Sequence, residues 1–366
     1  MIFYDKVAAC CLLTICVCGQ HVSLVNGAVW CYNETVTAAS CRQYRSFQRQ
    51  RYMIKKISPE ISEKTKVLDG KALKMIAAVT MLIDHIGAAI VGPYVSSVQM
   101  SSGQAASLEV LYNVLRAIGR TSFPIFCFML VEGFYYTRSR VKYLSKILIF
   151  AVISEYPFDM AIYGRPYNGH QDVLFTFAIG LITIWSIEAV CCDIMKRARK
   201  NEEYEQKLRD GGITGESTQW GHKTVREIDL EPEMVISHEK KKPKARQTLR
   251  EQHSGYGIVW AGFFQVMASM GIMIAGCLLA YYLKVDYGFS GIVLIFFLYI
   301  LHNERLFAAL AGYADMCWEP WSFPAFVLMQ FYNGKRGKQH KYFFYVFYPA
   351  HLIVLAIIRY IAVGIR

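Results

Sequence analysis

Asp84 and His85 stand inside LDGKALKMIAAVTMLIDHIGAAIV, residues 68–91, a run apolar enough to span a bilayer. An ionisable side chain near the middle of a membrane helix costs roughly 2.5–3.5 kcal/mol on insertion scales, so such residues face a polar cavity, a proton path or a substrate site. A neutral imidazole in a partly dehydrated site can take a proton from an amine or hydroxyl near neutral pH, which makes His85 a general-base candidate. Asp84 is a catalytic candidate with His85, but neighbouring helix residues project about 100° apart, so adjacency alone does not make it the group that orients the His85 ring. It is a candidate to bind an acceptor amine or to pair with Arg120. Lys74 lies eleven residues before His85, about 16 Å along the helix, and gives the same helix a basic anchor at one water interface.

Other ionisable residues recur at helical spacing. Arg116 and Arg120 are one turn apart on one face, with Glu132 further along; Glu155 and Asp159 repeat the four-residue step. Near the end of the chain, KYFFYVFYPAHL puts Tyr345, Tyr348 and His351 close to one face, with Pro349 between them. Two readings of this set stay open. Opposite charges among Arg116, Arg120, Glu155, Asp159 and Asp84 can neutralise one another and hold helices in register, or they can line a substrate site together with Tyr348 and His351. A carboxylate from another helix, Glu132 or Glu155, could orient His85 instead, and the sequence does not choose between them. Trp318 and Trp321 read as interfacial anchors.

The elements that must position these groups are membrane helices. The chain has 366 residues, is 54% hydrophobic and carries a formal charge of +12, values that suit a polytopic membrane protein with basic loops. The basic residues lie between apolar spans without a zinc-finger spacing or an RRM signature, so no nucleic-acid partner is expected. Helices are predicted at about 72–92, 112–137, 142–163, 171–195, 257–283, 288–301, 306–317, 320–333 and 342–363. The fold class is therefore all-α, a polytopic transmembrane bundle of about nine helices plus an N-terminal apolar segment. Residues 288–301, 306–317 and 320–333 are shorter than the roughly 20 residues of a full span and need tilting or shielding by neighbours.

Loop charge orients the spans. Residues 93–111 contain no Lys or Arg, whereas Arg138, Arg140, Lys142 and Lys146 flank the next connection. The later connections continue the alternation, ending with Lys335, Arg336, Lys338 and Lys341 in the eighth. The positive-inside rule then makes the segment before the first helix and the even-numbered loops cytosolic. Were the three short segments one or two spans, the basic loop at 334–341 could fall on the wrong side.

Four regions follow from this layout: a leader at 1–66, a first membrane half at 67–195, a hydrophilic insertion at 196–255 and a second membrane half at 256–366. The leader holds a short apolar run, VAACCLLTICVCG, an N-E-T sequon at Asn33 and six of the eleven cysteines. It reads as a signal-like segment, or as sequence upstream of a natural start at Met53. The CxC pair Cys16 and Cys18 is too slight for a metal site, and no metal is expected. The insertion, with its KKKPKAR run, reads as a solvated cytosolic loop.

Several motifs occur in a set order: LKMIAAVTMLIDHIG, GRTSFPIFCFMLVEGFYYT, ISEYPFD and YNGKRGKQHKYFFYVFYPAHL. From about Leu68 to Tyr360 the chain resembles the TraX family of F-pilin acetylation proteins. Its first helix is also similar to that of acyltransferase family three, whose members carry an arginine eleven residues before a histidine. Lys74 and His85 have that spacing here, with lysine in place of arginine.

The resemblance implies an acetyl-CoA-dependent transferase in the plasma (inner) membrane. On that expectation, coenzyme A docks from the cytosol against Lys74, Lys335 and Arg336. The acceptor, a protein N-terminus, a surface glycan or a small amine, meets His85 from the outer side near Arg116, Arg120, Glu155 and Asp159. A proton-coupled transporter built on the same buried His, Asp, Glu and Arg residues is the alternative. No soluble-enzyme motif such as G-x-S-x-G, a P-loop or H-E-x-x-H competes.

Overall fold

The computed structural model describes residues 22–25, 28–31, 66–97, 99, 101–166, 169–209, 244–338 and 342–363. Expectations for the cysteines at 10–18 and 41, the sequon, Met53 and the first four residues of the KKKPKAR run lie outside these residues. Within the leader, strands β1 (Val22–Val25) and β2 (Ala28–Cys31) pair antiparallel, Val22 opposite Cys31. The intervening Asn-Gly is the dipeptide that two-residue hairpins favour.

The other described elements are helices. Asp69 starts α1 (Gly70–Ile86), its carboxylate accepting from the Ala72 N–H at 2.7 Å. A π-helical turn, Gly87–Val91, leads into α2 (Gly92–Ser97), so Gly70–Ser97 forms one apolar rod of 28 residues. The second segment differs from expectation at its start. Helix α3 (Ser102–Gly119) begins ten residues earlier than predicted, because the Gly- and Ser-containing stretch after Ser101 that reads as loop continues the helix. A break at Arg120–Thr121 separates it from α4 (Ser122–Tyr136).

Helix α5 (Arg140–Ile162) is capped by the Ser139 hydroxyl, and α6 (Val173–Arg209) by Asp172, whose Oδ1 accepts from the N–H groups of Leu174 and Phe175. They are followed by α7 (Lys244–Tyr282), α8 (Gly288–Ile300), α9 (Arg305–Asp315), α10 (Phe323–Gln330) and α11 (Phe343–Val363). Each of the nine predicted apolar segments is thus helical. Among the described residues, five stretches can cross a membrane by length and composition: Gly70–Ser97, Ser102–Tyr136, Val173–Ala198, Trp260–Tyr282 and Phe343–Ala362.

The chain divides into two compact units, Met1–Glu188 with Ser269–Arg366, and Ala189–Ala268. The first brings residues of both apolar halves into one body. Its centre is α8, buried continuously from Ser290 to Tyr299. A helix apolar all round belongs inside a bundle, and that burial accommodates one too short to span lipid unaided. Gly180 of α6 lets it in: a Cβ there would come within 2.3 Å of the Ile295 side chain.

The connections sort into two ends. At one end, Leu68 bridges to Tyr332, Gly70 N–H donates to the Lys335 carbonyl at 2.8 Å, and Arg305 donates to the Tyr332 carbonyl at 2.5 Å. At the other, Gln171 bridges to Val285, and Arg120 reaches Tyr287 and Glu319. The segment before α1 and the sixth and eighth connections therefore share one end, and the third, fifth and seventh share the opposite one. That is the alternation that loop charge predicts.

Candidate active site

His85 and His351 meet. Nδ1 of His85 lies 2.7 Å from Nε2 of His351, joining α1 to α11. The rings are within 4° of parallel with centroids 5.0 Å apart. That separation is what two imidazoles give when joined edge to edge by one hydrogen bond, so the pair is coplanar rather than face-stacked. The second nitrogen of His351, Nδ1, is 2.9 Å from the Phe347 carbonyl, and the Phe347 ring lies 13° from parallel to the His351 ring at 5.0 Å. His351 is buried and His85 half-buried. Tyr348 presents its ring edge-on to both histidines, and its hydroxyl is sealed from solvent near the Val173 backbone.

The expectation that Glu132 or Glu155 orients His85 is corrected by this geometry. Glu132 lies at the end that holds the sixth connection, 2.9 Å from His302 Nε2 beside the Tyr135 ring. Glu155 accepts the backbone N–H of Asp172 at 3.1 Å. Matching side-chain depth from sequence leaves helix rotation undetermined, and rotation decides these pairings.

Asp84 pairs with Arg116 rather than with Arg120, Oδ2 to Nη1 at 2.5 Å, while its Oδ1 is buried without a hydrogen bond. The choice is set by how closely α1 and α3 cross. A Cβ on Gly119 would fall 2.1 Å from the Asp84 Cβ, so only glycine lets Asp84 lie against α3 at the level of Arg116. Arg120 instead binds Glu319 at 3.2 Å and contacts the Tyr287 hydroxyl at 3.5 Å.

Beyond Tyr348, the end that holds the third and fifth connections gathers carboxylates. Asp172, Asp286 and Glu155 lie near enough to act on the Tyr348 hydroxyl electrostatically. Asp172 is completely buried, and Asp159 is buried one turn beyond Glu155. Burial raises the Asp286 carboxyl above its ordinary range, against the Tyr287 N–H and the Arg120 and Arg116 charges, which lower it. Asp172, Asp286, Tyr287 and Glu319 were not among the residues predicted from sequence. All sit in short connections, where acidic residues read as solvated. The one local signal was Asp172 immediately before an apolar helix, an N-cap position.

The other predicted cluster assembles at the opposite end of α1. The turn after α10 folds over the start of α1, with Gly334 and Gly337 at positive φ. Lys74 lies over the Phe344 ring at 5.9 Å and close enough to Arg336 to feel its charge. Lys335 and Arg336 are exposed beside it. Three cations around a helix N-terminus make a site suited to anions such as phosphate. The structure therefore brings together Lys74 with Lys335 and Arg336, His85 with His351 and Tyr348, and Asp84 with Arg116; it sets Glu132 apart.

The TraX protein family matches this chain over residues 69–195 and 258–359, which include both histidines and both clusters. The probable fimbrial assembly protein FimC, serogroup H1, of Dichelobacter nodosus is 32% identical over 125 residues, covering 31% of this chain and 43% of that protein. The chain thus aligns with less than half the length of that relative. No solved structure matches. With its matched segments accounting for more than half of its residues, the chain belongs to the TraX family.

Proposed function

We propose that this protein is an integral membrane acetyltransferase, passing an acetyl group from cytosolic acetyl-CoA to an amine or hydroxyl at or beyond the membrane. The observation that carries the reading is the arrangement along α1. A cationic end formed by Lys74, Lys335 and Arg336 lies about 16 Å along the helix from a histidine base inside the bundle, and a charged cluster opens on the far side. The first end fits the phosphates of coenzyme A; the far end, with Arg116, Arg120, Glu155 and Asp159, receives the acceptor. Lipid surrounds the bundle, and residues 196–255 belong to the cytosolic side, in the plasma (inner) membrane. Membership of the TraX family supports this chemistry.

In the reaction, His85 Nε2 takes the proton from the acceptor N–H or O–H as that atom attacks the thioester carbonyl carbon. The C–S bond breaks, and the departing thiolate takes the proton to leave as free coenzyme A. Bringing both substrates to one imidazole supplies the orientation that the bimolecular reaction lacks in water. The name of the Dichelobacter relative speaks of fimbrial assembly, which supports a surface-filament subunit among the candidate acceptors, beside glycans and small amines.

The test is a single turnover with acetyl-labelled acetyl-CoA, purified protein in liposomes and a membrane extract as acceptor source, comparing wild type with His85→Ala. Label in an extract component with wild type alone supports the reading and yields the acceptor. A folded protein that neither binds coenzyme A nor releases it overturns the reading, and substrate-driven proton flux then tests the transporter alternative.

A further inference from the structure

His85 needs an orienting partner, and the residue that usually fills that place, a carboxylate, is absent from its hydrogen-bonding distance among the described residues. Asp84 is held by Arg116, Glu132 by His302, and Glu155 by the Asp172 N–H. The hydrogen bond to His85 Nδ1 comes from His351.

The direction of that bond can be worked out from the far side of His351. Its Nδ1 faces the Phe347 carbonyl at 2.9 Å, with the Tyr348 carbonyl also near. A carbonyl only accepts, so His351 Nδ1 carries a hydrogen. In a neutral imidazole the other nitrogen is then an acceptor, and the hydrogen between the rings belongs to His85 Nδ1. His85 is left with its lone pair on Nε2. The parallel Phe347 ring holds the plane of His351, and so the direction of the bond.

We propose that His351 is a positioning residue that locks His85 in the tautomer with an unprotonated Nε2, the form a general base requires; this rests on His85 acting as the base. When Nε2 takes the acceptor proton, the Nδ1–H stays donated to His351, and the His351 Nδ1–H stays on the Phe347 carbonyl. Charge forming on His85 is met by two aligned neutral dipoles. In serine hydrolases a buried carboxylate does this. An imidazole does it here without placing a further permanent charge inside the membrane.

The test uses the full chain in liposomes with ¹⁵N-labelled histidine, the His85 signals being assigned by their loss in His85→Gln. Solid-state NMR of wild type is expected to show His85 protonated at Nδ1 and bare at Nε2. In His351→Leu, His85 moves toward the Nε2–H tautomer, and kcat falls at least tenfold while the KM for acetyl-CoA holds. His351→Gln, whose side-chain oxygen can accept from His85 Nδ1, restores the tautomer and most of kcat. An unchanged His302 signal verifies that the variants fold. Wild-type His85 protonated at Nε2, or a His351→Leu variant with unchanged tautomer and kcat, overturns the proposal. A wild type with the expected tautomer and no acetyl transfer instead overturns the transferase reading and leaves the tautomer assignment standing.

Discussion

Gly119 lies against Asp84 where α3 crosses α1, so closely that a Cβ at position 119 would come within 2.1 Å of the Asp84 Cβ and 2.3 Å of its Oδ1. The missing side chain is what allows a carboxylate inside a membrane helix to reach Arg116.

Gly119→Ala is therefore expected to push the two helices apart. Overpacking of this kind costs typically 1–3 kcal/mol, and here it also stretches the Asp84–Arg116 bond. A lower unfolding temperature in detergent, together with reduced acetyl transfer, is the expected result; an unchanged unfolding temperature contradicts the crossing.

Arg116→Ala leaves the half-buried Asp84 carboxylate without its partner, a loss of up to about 3–5 kcal/mol. Removing both partners in Asp84→Ala/Arg116→Ala takes away the orphaned charge, so the double variant should be more stable than the arginine variant alone. Thermal unfolding of the three proteins and wild type measures this. Equal loss in the single and double variants would show that Arg116 contributes through something other than Asp84.

Lys335→Ala and Arg336→Ala remove exposed cations far from the histidines. If they hold coenzyme A phosphates, each loses a charge-assisted hydrogen bond worth roughly 1.5–3 kcal/mol, a rise in the acetyl-CoA KM of about tenfold or more. The chemical step does not involve them, so kcat should stay within about twofold. Steady-state kinetics at two salt concentrations tests both statements, because the KM effect should shrink as salt screens the wild-type cations.

Asp286 gives a pH dependence outside the apolar spans. Its carboxyl is raised above the ordinary 3.8, by burial first. The folded state therefore holds this proton more tightly than the unfolded chain does. The stabilisation is complete below the ordinary carboxylate range and is lost as pH rises through the raised value. At neutral pH the charged form burdens the fold, so Asp286→Asn should raise the unfolding temperature at pH 7. It should also flatten the decline between pH 4 and neutrality, as thermal scans across that range can measure.

What the sequence could and could not supply divides along physical lines. Hydrophobic length located nine apolar segments, and charge alternation arranged their ends as the bridges from Leu68 to Tyr332 and from Gln171 to Val285 require. Lys74, Lys335 and Arg336 were recognisable as a group because loops and helix ends are ordered by topology alone. The partners of Asp84, Glu132 and His85 were not, because each depends on the rotation of one helix against another. A four-residue step leaves Arg116 and Arg120 equivalent until Gly119 fixes where α1 touches. Likewise, nothing in PAHL says that its histidine faces DHIG.

His85 and His351 are separated by 266 positions in the chain yet share one hydrogen bond. During synthesis α1 emerges well before α11, so the imidazole of α1 waits through the insertion of every helix between them without its partner. A protein arrested or cleaved before α11 would carry Lys74 and His85 but lack the imidazole that meets His85. On the proposed function, acetyl transfer then awaits the insertion of α11.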